Sequence, residues 1–211
     1  RGLALLPHPF SHRKELMAFS HRIYKWCSSL PYSRMSKWAP DCRAELYVSA
    51  LALFIADSNM RWPVCNRITT TDATPTRGGT TAVNVDGSLA RALWSASEHR
   101  GKATTLRASE LPVATSEVDP DLTDFYVAAP WEVTRSRNFD EVQHVNLQEL
   151  AEIVDEVGEA GKRCLVAQRL VNASDSMVCI GCTAKGRSPS LLLNGLLRRH
   201  SARCIANRKV I

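Results

Sequence analysis

Three acidic residues stand in three different local settings, and together they could hold divalent metal ions. Asp72 lies inside a strand-like run, Ile68-Thr69-Thr70-Thr71-Asp72-Ala73-Thr74, just before Gly78-Gly79. Glu149 opens a helical stretch in Asn146-Leu147-Gln148-Glu149-Leu150, and Asp175 follows an apolar run in Leu170-Val171-Asn172-Ala173-Ser174-Asp175-Ser176. Magnesium prefers hard oxygen ligands and keeps much of its water. Two such ions about 4 Å apart can activate a water and stabilise the leaving oxygen in phosphodiester hydrolysis. That chemistry needs carboxylates converging from rigid elements. Each acid also has an ordinary structural reading. Asp72 is placed to form an Asx turn before a hairpin. Glu149 stands three residues after Asn146, where a capping-box glutamate would be. Asp175 could cap a helix beginning at Ser176.

The elements that must position these acids follow from periodicity. Residues 1–64 read as mainly helical. Leu16, Phe19, Ile23 and Trp26 form a stripe over 15–27, Pro31 and Pro40 bracket a loop, and 43–60 reads as a helix with Leu46, Ala50 and Phe54 on one face, stopped by Pro63. From Cys65 the period shortens. Residues 67–74 and 80–86 read as two strands, with Thr76-Arg77-Gly78-Gly79 as a turn whose glycines supply positive φ. Between 87 and 143, a short helix over 89–99 and a third strand at 125–128 or 139–145 are expected, with Pro112, Pro120 and Pro130 keeping elements short. Residues 146–160 form an amphipathic helix ended by Gly158 and Gly161, with Leu147, Leu150, Ala151, Val154 and Val157 inward and Glu152, Asp155, Glu156 and Glu159 outward. A strand over 163–171 follows, centred on Leu165-Val166-Ala167. Next come a helix over 176–183 closed at Gly186 and a final helix capped by Ser188 with Pro189 at its first position. A hairpin, a further strand, a helix, a strand and two helices predict an α/β fold with a mixed sheet flanked by helices.

The net charge is +6, and its placement is informative. No Asp or Glu occurs from Ser176 to Ile211, whereas Lys185, Arg187, Arg198, Arg199, Arg203, Arg208 and Lys209 all lie there. The rest of the chain is therefore close to neutral, and the basic end suits a polyanionic partner. A solvated helix face is the plainer alternative. Seven cysteines, irregularly spaced, predict reduced thiols in an intracellular setting, cytoplasm or nucleus. No apolar run reaches the roughly 20 residues of a membrane span. The chain begins at Arg1 without Met and reads as a piece of something longer, either cut from a polyprotein or left by an incomplete gene model. Cys179, Cys182, His200 and Cys204 have a zinc-like spacing, although the first two also fit one helical turn as small buried residues. No nucleophile elbow and no phosphate-binding glycine loop occurs. Trp26, Trp38, Trp62 and Trp94 could stack on bases, but they read more simply as core.

Thr-Asp-Ala-Thr followed by Gly-Gly (71–79), His-Val-Asn-Leu-Gln-Glu-Leu (144–150) and Ser-Asp-Ser followed by Lys-Gly-Arg-Ser (174–188) resemble the ribonuclease H domain of retroelement reverse transcriptases. The likeness is greatest to the type found in retrotransposons of the DIRS kind. It covers about 65–200 and implies a ribonuclease H-like domain over 65–211, with 1–64 as a helical connection segment. In that family the first motif is a strand Asp followed by a glycine hairpin, the second opens the first long helix, and the third is an Asp ending the fourth strand. The resemblance implies Asp72, Glu149 and Asp175 as catalytic ligands of two Mg2+ ions, with Mn2+ as a substitute. It implies an RNA–DNA hybrid as substrate, and a polymerase part belonging to the same polyprotein. Arg187, Arg198, Arg199 and Arg203 are the candidate phosphate contacts. Two departures stand out. The family has a fourth acid in or near a final helix, and here no acid follows Asp175; the polymerase motifs are also absent. Two alternatives therefore accompany the nuclease reading: a non-catalytic remnant that keeps the fold, and a zinc-stabilised nucleic-acid-binding module.

Overall fold

A computed structural model describes residues 7–31, 36–99 and 120–211. The sequence-level features at 1–6 and at Pro112 lie outside them. The central hairpin is β1 (Arg67–Ala73) and β2 (Arg77–Asn84), in antiparallel register from Arg67 opposite Asn84 to Ala73 opposite Gly78. β3 (Glu132–Asn138) adds to β2 antiparallel, with an irregularity at Thr80/Thr81, and β5 (Asn172–Ala173) adds to β1 in parallel. The sheet order is thus β3-β2-β1-β5, a mixed sheet. Beyond it, β4 (Gln168–Arg169) pairs in parallel with β6 (Lys209–Val210).

Helices cover both sides. α6 (Val145–Arg163) packs on β1 and β2 and against α8 (Leu191–Asn207), with α7 (Met177–Lys185) beside them. Leu150, Ile153, Val154, Cys179, Cys182, Leu193 and Leu197 close this layer. A second cluster, Ile68, Val83, Ala90, Leu93 and Val171, joins the sheet to α4 (Gly87–Ala96), with Leu122 and Phe125 of α5 (Pro120–Ala128) against it. The N-terminal segment holds α1 (Pro7–His12), a 3-10 stretch Lys14–Ser20, α2 (His21–Ser29), α3 (Pro40–Ala52) and a 3-10 turn Leu53–Ile55. It is tied to α8 at Ala18, whose carbonyl accepts from Asn194 Nδ2 at 2.7 Å and Arg198 Nε at 3.1 Å. Among the described residues no helix is long and apolar enough to cross a membrane.

The mixed α/β architecture, the hairpin and the two C-terminal helices match the sequence expectation. Several boundaries do not, each for a physical reason. The reversal between β1 and β2 is made by Thr74-Pro75-Thr76-Arg77, where Thr74 N donates to Arg77 O at 2.7 Å and Thr74 Oγ1 accepts from Arg77 N at 3.0 Å. Gly78 and Gly79 lie inside β2, and neither has positive φ. Gly78 is needed because a Cβ there would strike the Glu152 carboxylate and the Phe139 ring. The third strand falls at 132–138, between the two expected sites, while 125–128 is helical with Pro120 starting its helix.

α6 runs past Gly158 and Gly161 to Arg163, and both glycines admit α8. A Cβ at Gly161 would collide with Asn207, and one at Gly158 would press on Arg203. Glu152 and Glu156, expected outward, are buried. Glu152 is wholly enclosed and accepts from Arg135 Nη2 at 2.8 Å and Arg137 Nε at 2.7 Å, so cations from β3 replace solvent.

No strand spans 163–171, and Leu165, expected at its centre, is 86% exposed. Buried Lys209 donates from Nζ to the carbonyls of Cys164 (2.9 Å) and Val166 (2.6 Å), holding that loop without strand pairing. Ser190 rather than Ser188 caps α8, accepting from Leu193 N. The helix begun by Pro40 ends well before Pro63, and its buried face is Cys42, Glu45, Ser49 and Ala52, whereas Phe54 is 88% exposed.

Candidate metal centre

Asp72 is the sixth residue of β1 and faces Gly79 across the ladder, so its partner strand offers no side chain to crowd or pair with it. Its Oδ1 accepts from the adjoining Ala73 N at 2.7 Å. Thr74 makes the turn, which leaves the Asx-turn reading of Asp72 without support.

Glu149 lies in the second turn of α6. The N-cap is His144, whose Nδ1 accepts from Asn146 N at 3.2 Å, so Asn146 is already helical and Glu149 is too far in for a capping box. The carboxylate is half-buried and meets the Cys179 thiol, whose Sγ lies 3.8 Å from Glu149 Oε2 and 3.3 Å from Asn146 O. Burial pushes the Cys179 thiol up to about 12, so it stays protonated and serves as a donor to these oxygens.

Asp175 follows β5 and precedes α7. The capping role falls to its neighbours: Ser174 Oγ accepts from Ser176 N at 3.2 Å, and Ser176 Oγ accepts from Cys179 N at 3.4 Å. Asp175 is left exposed at the junction.

Asn172 fixes the two strands that carry these acids. Its Nδ2 donates to Thr71 Oγ1 and its Oδ1 accepts from Thr69 Oγ1, each at 2.9 Å, beside the backbone bond from Thr69 N to Val171 O. Nothing in the sequence pattern singles out Asn172. A polar residue directly after the apolar Leu170-Val171 pair is the one available signal.

One oxygen from each of Asp72, Glu149 and Asp175 lies within 4.8 Å of the other two. Ligands of one magnesium ion, each at about 2.1 Å, are roughly 3.0 Å apart when cis and 4.2 Å apart when trans, so the three oxygens would draw together by an ångström or more to share an ion. Among the described residues no ion pair engages any of the three. The donors are hard oxygens, and the set fits a divalent cation such as Mg2+ or Mn2+.

The zinc-spaced residues behave differently. Cys179 and Cys182 are buried in α7, and His200 and Cys204 in α8, with Cys204 Sγ 3.6 Å from His200 Nε2. Among the described residues only the three carboxylates form a group able to hold a metal ion, so the zinc reading loses its site. Burial also depresses His200 to about 4 and raises Cys182 to about 11, as expected of packed residues.

The candidate phosphate contacts divide into two pairs. Arg187 and Arg199 are exposed. Arg198 pairs with Glu45 and Ala18 O, and Arg203 donates to Val154 O at 2.8 Å and pairs with Asp155. Those two knit α8 to its neighbours. Arg199 instead lines a cleft with Arg137, Phe139 and Gln148, the residue before Glu149. Comparison with family models, curated proteins and solved structures finds no match to this chain.

Proposed function

We propose that the chain is a ribonuclease H-like nuclease domain from a retroelement reverse transcriptase that hydrolyses the RNA strand of RNA–DNA hybrids. The observation that carries the reading is the convergence of Asp72, Glu149 and Asp175 to within 4.8 Å, from a strand, a helix and a strand end far apart in sequence. The ordinary roles that could explain each acid are filled by Thr74, His144 and Ser176. In addition, β5 lies parallel beside β1, so the third acid closely follows a strand adjacent to the one that bears the first.

Asp72, Glu149 and Asp175 would hold the metal, which supplies an activated water and charge stabilisation at the phosphate. The protein's own contribution is positional. Asn172 straps the strands that bear Asp72 and Asp175 together, and the Cys179 thiol orients Glu149. Arg199 and Arg137 line the cleft beside Gln148, where a phosphodiester backbone would approach.

The test is cleavage of an end-labelled RNA–DNA hybrid with and without Mg2+. Cleavage that requires the metal and is lost in both Asp72→Asn and Asp175→Asn is expected. A chain that binds Mg2+ but leaves the hybrid intact would instead be the non-catalytic remnant.

A further inference from the structure

A second site is built into the junction between the N-terminal segment and α7. A cavity of about 380 Å³ opens there, lined by Arg13, Lys14, Glu15, Trp94, His99 and Thr183, among others. Among the described residues, nine buried side-chain nitrogen and oxygen atoms lack a hydrogen-bond partner, and four of them belong to this wall: Arg13 Nε and Nη2, Glu15 Oε1 and Thr183 Oγ1. Buried polar groups are ordinarily satisfied, and an unpaired buried guanidinium is costly. Orphans concentrated at one cavity therefore point to an absent partner.

The chemistry of that partner follows from the donors. Arg13 is only 7% exposed, and Nε with Nη2 forms one edge of its guanidinium fork, which matches two oxygens of a phosphate. Thr183 Oγ1 offers a hydroxyl donor. Desolvation raises the Glu15 carboxyl above its usual range, against the pull of the neighbouring Arg13 and Lys14 charges. Glu98 at the rim is engaged in an interaction of its own. The backbone around the cavity is fixed in place, and a small side-chain shift opens the orphaned atoms to it. Gly186, at φ 65, lets the Lys14 carbonyl come so close that any Cβ there would overlap it, and Lys14 Nζ is held by the carbonyl of His99. Trp94 and His99, with ring centroids 4.8 Å apart, make an aromatic wall beside the donors.

We propose that this cavity is a phosphate-binding site for a nucleotide unit, with Arg13 as its anchor and Thr183 as a supporting donor. A second cavity, about 240 Å³, shares Trp94, His99 and Thr183 with it and reaches Asn172–Ser174, one residue from Asp175. A strand held at the metal centre can thus run along this wall and place a flanking phosphate at Arg13. That assignment of the source rests on the nuclease reading; the phosphate site itself does not.

The test uses the full chain carrying Asp72→Asn, so that no ligand is cleaved, and calorimetric titration with an RNA–DNA hybrid, with AMP and with inorganic phosphate. Arg13→Met is expected to weaken hybrid binding roughly tenfold and to lower its salt slope by about one. It is also expected to raise the melting temperature of the ligand-free chain, because an unpaired buried cation is replaced by an apolar side chain of similar shape. Thr183→Val, a milder change, is expected to weaken binding severalfold and guards against a folding defect in the first variant. If both variants lose AMP and inorganic phosphate but bind hybrid normally, the phosphate site stands and its ligand is a free nucleotide. If neither variant alters any of the three titrations, or if Arg13→Met lowers the ligand-free melting temperature while Thr183→Val binds normally, the proposal is overturned. None of these readouts depends on cleavage, so an inactive nuclease would leave them interpretable.

Discussion

Replacing Asp72 by Asn tests the metal centre through stability alone. The change is nearly isosteric, and the amide oxygen can still accept from Ala73 N. What it removes is one of three unpaired negative charges whose oxygens lie within 4.8 Å of one another. At that separation two like charges repel by about 0.9 kcal/mol in a water-like dielectric and by about 3.5 kcal/mol at the effective value of 20 used near protein surfaces. Asp72 is exposed, so the lower figure applies, and with two neighbours the relief is about 2 kcal/mol. In metal-free buffer Asp72→Asn is therefore expected to melt roughly 4–8 °C above the parent chain. Magnesium should reverse the order. A ligand at a hundred times its dissociation constant stabilises by about 2.7 kcal/mol, and the variant, short of one ligand, gains less. The assay is a thermal melt followed by circular dichroism, in EDTA and across a Mg2+ titration. If Asp72→Asn is no more stable than the parent in EDTA, and both respond equally to Mg2+, the three carboxylates do not act as one cation site.

Three further outcomes follow from the packing. Gly78→Ala should destabilise by about 3 kcal/mol or more in urea unfolding, because its Cβ displaces the enclosed Glu152 carboxylate from Arg135 and Arg137. Asn172→Ala removes two side-chain bonds between β5 and β1; a loss of about 1–3 kcal/mol is expected, with faster amide exchange at Thr69, whose N–H bonds the neighbouring Val171 carbonyl. His200 is enclosed and depressed to about 4, whereas the unfolded chain takes up its proton near 6.5. The unfolded state thus binds more protons between these values, so stability falls as pH drops through that window, by about 3 kcal/mol in all. His200→Gln should flatten that part of the pH–stability profile.

The parts of the fold legible in the sequence are those governed by local pattern. The 67–74 run, the amphipathic helix around Leu150 and the Gly186 stop each carry their own periodic or capping signal; the first two bear Asp72 and Glu149, and Asp175 lies just before the helix that Gly186 ends. The parts that were not legible depend on distant partners. Glu152 and Glu156 sit where helical spacing alone predicts solvent, because nothing local announces that β3 will bring Arg135 and Arg137 to Glu152. The apolar Leu165-Val166 pair reads as a strand centre, but Lys209, far along the chain, holds its backbone as a loop. Gly78-Gly79 reads as a turn, since a glycine required for helix–strand approach looks the same in sequence as one required for positive φ.

Asn172 divides the three carboxylates into unequal mechanical parts. With its side chain bridging Thr69 and Thr71, the strand bearing Asp72 and the strand that leads into Asp175 are tied together, while Glu149 is carried by α6. The distance across the centre is then set by how far α6 sits along the sheet. That seating is governed by Gly78, where the backbone of β2 meets Glu152 of the helix. On the proposed reading, cation affinity becomes a property of helix-on-sheet docking, and substitutions that touch none of the three carboxylates would tune it by sliding the helix a fraction of a turn.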